Sequence, residues 1–99
     1  MIINELKKEI ISIAREKDII LKFSFEFTKL IKKIKDTQTK LRLYKQILKI
    51  VTNPAIGKHM KFSRKMEQEV YIDSFRLYYK YYEQEKTLRF IDFSHKDEQ

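Results

Sequence analysis

Between Val70 and Phe93 the chain carries two runs dominated by aromatic and β-branched residues. The first ends at Tyr82, the polar block Glu83-Gln84-Glu85-Lys86 follows, and the second begins at Thr87. Such runs suit a pleated, half-buried surface, and a four-residue polar break between them predicts adjacent antiparallel strands joined by a hairpin loop. Asp73-Ser74 predicts an earlier turn, which would make residues 70–93 a three-stranded meander. Alternation along a strand places Phe75, Leu77, Tyr79 and Tyr81 on one side and Arg76, Tyr78, Lys80 and Tyr82 on the other. The first set can pave a core, and the second can meet water or a ligand. A ribbon of this size is marginal alone in water, so its apolar side needs cover from the rest of the chain.

The preceding segments supply helices. Ile3, Leu6, Ile10 and Ile13 or Ala14 recur at helical spacing and predict a helix over residues 4–17, with a stripe narrow enough to dock on the domain's edge or receive a partner. Residues 19–23 read as a short strand. Ser24 is a good N-cap, Glu26 complements the helix dipole, and Phe27, Leu30, Ile31 and Ile34 give a second helix, over residues 25–35, one apolar face. Asp36 or Thr37 caps a third helix with a stripe of Leu41, Tyr44, Ile47, Leu48 and Val51, ending at Thr52-Asn53-Pro54. The short link between the last two helices implies an antiparallel hairpin. The expected architecture is therefore α+β: a two-helix hairpin packed on one face of a small, mainly antiparallel sheet, with an extra N-terminal helix. Residues 1–17 would form a helical extension and residues 18–99 the domain proper. Gly57 is expected at a turn needing positive φ, and Lys58 to Lys65 form a basic loop.

Ninety-nine residues suffice for one domain, burying roughly 60 to 68% of the surface its unfolded chain exposes. Cysteine is absent, which rules out a disulfide framework or a cysteine zinc site. No uncharged apolar run reaches membrane-spanning length and the N-terminus lacks a signal peptide's apolar region, so the expected location is cytoplasmic, without membrane association. Heavy use of Lys, Glu and Ile suits a thermophile, although an AT-rich genome gives the same bias. The formal charge is +8, and it is uneven. Residues 1–65 hold seventeen Lys/Arg against six Asp/Glu, and residues 66–99 hold five against eight. A basic field of this kind attracts phosphate polyanions or an acidic protein, or is simply a solvated lysine surface.

No phosphate-cradling glycine motif, zincin helix or serine elbow is present, which removes support for most enzyme classes. The two histidines, His59 and His95, each sit beside lysine just outside the expected regular elements.

A strand and two helices, followed by Asn53-Pro54-x-x-Gly57-Lys58-x-Met60-Lys61, Val70-Tyr71-Ile72, Phe75-Arg76-Leu77-Tyr78-Tyr79 and Phe90-Ile91-Asp92-Phe93-x-His95-Lys96, resemble the RelE/ParE family of type II toxins over about residues 18–98. The family typically shows a helix ending near a proline, a Gly-Lys-x-Leu-like loop, a Tyr-Arg-Val-x-Tyr-like strand and a last strand closing in a basic or histidine-containing segment. The resemblance implies the toxin of a toxin–antitoxin pair, held silent by an antitoxin with an acidic amphipathic helix. It implies an endoribonuclease acting on mRNA, free or on the ribosome, without metal or other cofactor, or a gyrase-poisoning relative. Arg76 then matches the arginine that contacts the scissile phosphate, and His95 a general acid or base. Lys58, Lys61, Arg64 and Lys65 match the loop that approaches nucleic acid.

Those residue types fit cleavage through the RNA's own 2′-hydroxyl, which needs a base, an acid and a cation against the phosphorane. An imidazole and a guanidinium fork supply two of the three, and Tyr71, Tyr78 and Tyr82 can stack on splayed bases. The chain departs from the nucleolytic pattern where Glu67, Glu69 and Tyr71 stand in place of lysine or arginine, since carboxylates repel phosphate. That departure motivates the alternative of a non-catalytic module on the same scaffold, inhibiting gyrase or binding a protein. A plain basic nucleic-acid binder is the remaining reading. Arg76 could also pair with Asp92 or Glu69 across strands.

Overall fold

The structure, a computed structural model, describes residues 2–59 and 67–95. Helix α1 (Ile2–Glu16) is closed by the residues that follow it. Asp18 adopts φ 57°, while the Ile19 N–H donates to the Ala14 carbonyl at 2.8 Å and the Asp18 N–H to that of Arg15 at 3.2 Å. This is the pair of bonds by which a left-handed residue ends a helix. The turn delivers the chain into β1 (Ile20–Phe23).

Helix α2 (Phe25–Lys33) starts on Ser24, whose hydroxyl accepts from the Phe27 N–H at 3.0 Å. Helix α3 (Thr37–Thr52) starts on Asp36, which accepts from the Gln38 N–H and the Thr39 hydroxyl. Both caps fall where the sequence places them. A 3₁₀ turn over Pro54–Ile56 leads to β2 (Lys58–His59), β3 (Gln68–Ile72), β4 (Phe75–Tyr82) and β5 (Thr87–His95). The sheet runs β1-β5-β4-β3-β2, with β1 parallel to β5 and the other pairs antiparallel. The α+β class and the mainly antiparallel sheet are as expected.

Lys58 and His59, read as loop, instead form an edge strand opposite Glu69 and Gln68. Pairing there needs only the free backbone edge of β3, which leaves no side-chain period to read. Gly57 takes φ −73°, not the expected positive value. Its constraint is close approach: an added Cβ would lie 2.5 Å from the Tyr79 hydroxyl oxygen. That hydroxyl accepts from the Gly57 N–H at 2.8 Å and donates to the Pro54 carbonyl at 2.8 Å. The Gln68 side-chain amide donates to the Pro54 and Gly57 carbonyls and to the same hydroxyl. A buried polar cluster therefore pins the end of the helical half to the sheet.

Phe27, Leu43, Ile47, Ile50 and Val51 from the helices meet Leu77, Tyr79, Leu88 and Phe90 from the sheet in one fully buried core. Each large apolar side chain of that kind contributes about 1.5–3 kcal/mol. The stripe of α3 differs from the expected one, because Leu43 and Ile50 are fully buried while Leu41, Tyr44 and Leu48 are half-buried. A single stripe assumes one neighbour, whereas α3 packs along α1 and also touches β3. Lys7 lies 5.3 Å from the Tyr44 ring centroid and Lys17 donates to the Thr52 carbonyl, so α1 and α3 run in the same direction. Ile10 and Ala14 of α1 belong to the common core. No helix among the described residues is long and apolar enough to cross a membrane.

One irregularity sets which side chains face where. Tyr78 stands opposite Asp92, but Tyr79 stands opposite Phe90, so Ile91 is an extra residue in β5. Ser24 holds this bulge: its N–H donates to the Phe90 carbonyl at 3.0 Å and its hydroxyl to the Ile91 carbonyl at 2.7 Å. The carbonyl freed by the bulge is thereby satisfied by the residue that also starts α2.

Candidate functional site

The sheet face opposite the helices is built in rows across the strands. Tyr71, Arg76 and Ser94 form one row, and Lys58, Glu69, Tyr78 and Asp92 the next. Beyond the bulge come Lys80, Arg89 and Lys22, and then Tyr82, Thr87 and Ile20. The Arg76 guanidinium lies 5.4 Å from the centroid of the Tyr71 ring, which is 55% exposed. Tyr78 foremost, with smaller contributions from Tyr71 and Glu69, holds the cation still more firmly protonated than usual against its partial burial. Lys80 lies 4.7 Å from the Tyr82 ring centroid. Both aromatic contacts are of cation–π type.

Glu69, expected either to repel phosphate or to pair with Arg76 across strands, belongs to this site. It is 6% exposed, the Tyr71 hydroxyl donates to its Oε1 at 3.3 Å, and its buried Oε2 accepts no hydrogen bond among the described residues. It sits diagonally from Arg76 on the neighbouring strand, about 7–8 Å away in an antiparallel pair. Burial of a carboxylate two residues from an exposed tyrosine on the same strand face leaves no trace in composition.

The expected pair of Arg76 and His95 is not brought together. Arg76 is opposite Ser94, whereas His95 is opposite Phe75 on the helix-covered face, its ring edge-on to Phe75 with centroids 5.3 Å apart. There it borders a cleft of about 490 Å³ walled by Ile34, Lys35, Asp36 and Phe75. The physical reason is the bulge: Leu88 and Phe90 point into the core, then Phe93 and His95 do, so the alternation changes phase at Ile91. The signal was the spacing of three between Phe90 and Phe93. Tyr78, expected to be open, shares Arg76's face but is fully buried and has no ring face to offer a base. Tyr82 is half-buried and Lys58 exposed on the same face, while Lys61, Arg64 and Lys65 lie outside the described residues.

Among solved structures, RelE from E. coli in the intact RelBE toxin–antitoxin complex superposes with a TM-score of 0.67 at 16% identity, over 78% of this chain and 95% of that one. The fold is that of RelE. Isolated E. coli RelE gives a TM-score of 0.66 at 15% identity over 78% and 83% of the two chains. A RelE mutant bound to a peptide of the antitoxin RelB gives 0.65 at 15% identity over 78% and 82%. The sequence matches no profile of a known protein family and no curated protein. In this RelE-like frame Arg76 occupies β4, the central strand of the sheet, on the face left uncovered by helices.

Proposed function

We propose that this chain is the toxin of a type II toxin–antitoxin pair and that its target is RNA, held against the helix-free face of the sheet and cleaved through its 2′-hydroxyl. The observation that carries this reading is Arg76 on that face of a RelE fold, stacked on exposed Tyr71 and diagonal to a buried carboxylate. Arg76 meets the scissile phosphate with its fork and stabilises the charge that grows there. Glu69, whose Oε2 has no hydrogen-bond donor among the described residues, takes the proton of the attacking 2′-hydroxyl, while the bond from phosphorus to the 5′-oxygen breaks and that oxygen leaves with a proton from solvent water. Tyr71 and Tyr82 present ring faces to unstacked bases. His95, on the other side of the sheet, takes no part. The chain acts in the cytoplasm on mRNA, free or on the ribosome, and is silenced by an antitoxin with an acidic amphipathic helix, drawn to a chain of net charge +8.

Purified protein is incubated with mRNA, with and without ribosomes. Arg76→Ala and Glu69→Gln are each expected to slow cleavage about 10²–10⁴-fold, and His95→Ala to leave it near wild type. Cleavage by Glu69→Gln at the wild-type rate would remove Glu69 from the chemistry. A wild-type protein that neither cuts RNA nor arrests translation, yet captures a protein target, would favour the second reading, a protein-binding module. That reading draws on the same carboxylate, which offsets charge beside Arg76.

A further inference from the structure

The row Lys22, Arg89 and Lys80 is assembled only by folding. Lys22 is in register with Arg89 across the parallel β1–β5 pair, and Arg89 with Lys80 across the antiparallel β5–β4 pair. All three lie on the helix-free face, because their neighbours Leu21, Leu88 and Tyr79 belong to the core side. Lys22 and Arg89 are exposed and Lys80 half-buried, and among the described residues none of the three meets a carboxylate. Like charges directly opposite one another on a sheet are destabilising, so the row opposes folding rather than supporting it. It crosses the sheet over about 10 Å, four residues along β4 from Arg76 and bordered by Tyr82.

We propose that Lys22, Arg89 and Lys80 form a second phosphate-binding subsite that grips the backbone of a single-stranded nucleic acid away from the scissile bond. The proposal rests on the RNA-directed reading above for the identity of the ligand and adds the path that ligand takes. A strand whose phosphate sits at Arg76 continues down the face to the row, where its next phosphates neutralise the three cations and remove their mutual repulsion. Tyr82 stacks a base at the exit. The contacts go to the backbone, so they position the strand without reading its sequence.

The test uses the full-length protein and a 2′-O-methyl oligonucleotide, which lacks the attacking hydroxyl, with affinity measured across a salt series. In the triple variant Lys22→Ser, Arg89→Ser, Lys80→Ser, the slope of log affinity against log salt should fall by about two, three contacts at roughly 0.7 each, alike for oligonucleotides of different sequence. The charge-matched control Lys29→Ser, Lys32→Ser, Lys33→Ser alters exposed α2 lysines and should keep nearly the wild-type slope. An unchanged slope in the row variant overturns the proposal, as does an equal loss in both variants, which would make the effect one of net charge. Preference for an acidic peptide over the oligonucleotide overturns it too. Arg76-dependent RNA cleavage with an intact slope in the row variant would sink the subsite and leave the toxin reading standing. Row-dependent binding by a protein that cuts no RNA and arrests no translation would do the reverse.

Discussion

Tyr79 shows how one atom can make a glycine obligatory without any unusual backbone angle. Burial pushes its phenol up in pKa, with the Gly57 N–H working against the shift, and so keeps the hydroxyl as the donor to the Pro54 carbonyl. Gly57→Ala must displace that ring or the segment it anchors, and should lower stability by about 1–3 kcal/mol in urea unfolding. Loss of this size is not expected for Ala at the exposed neighbouring residue Lys58. Ser24 is similarly overcommitted, capping α2 and satisfying the bulge carbonyl together. Ser24→Ala should cost about 1–2 kcal/mol, and amide exchange at Phe27 should rise with it. Neither role is visible in the residue's own neighbourhood of the sequence beyond the cap itself.

At the scale of single elements, α3 and β5 make opposite predictions. The Thr39 hydroxyl foremost, then the Gln38 and Thr39 backbone and Arg42, hold the Asp36 carboxyl below its usual 3.8, outweighing its slight desolvation. A depressed folded-state pKa gives stability that is present above the unfolded value and lost as pH falls through the folded one. The stability gap between wild type and Asp36→Asn should therefore close on acidification below 3.8, as read from urea midpoints along a pH series. In β5, Arg89 faces Lys80 and neighbours Lys22, so Arg89→Thr should raise stability by about 0.2–1 kcal/mol with an unchanged denaturant m-value. Strand and helix identities were legible because Phe, Tyr and β-branched runs differ in period from the 3.6-residue stripes. The cationic row was not, since its members lie in segments far apart in sequence and residues 66–99 are acidic when counted together. A charge count cannot see register.

For the molecule as a whole, the division into an extension and a domain does not match how the core is shared. Ile10 and Ala14 pack with Ile47 and Val51 in one cluster, so removing residues 1–17 should strip apolar cover from α3. The truncated chain should lose its sharp cooperative melt, whereas Ile10→Ala should keep it at a cost of about 2–5 kcal/mol. The RelE-like layering was legible from element order. The composition of its functional face was not, because Tyr78 and Glu69 look exposed by alternation and are buried. The extra residue at Ile91 has a wider meaning. Were β5 to run on without the bulge, with Ile91 taking an ordinary place in the ladder, residues 92–95 would turn over, sending Phe93 and His95 outward and Asp92 and Ser94 inward. Whether one residue is bulged out or taken into the ladder thus decides which surface the end of β5 serves, and two sequences that align there without a gap can still present opposite chemistry to the same target.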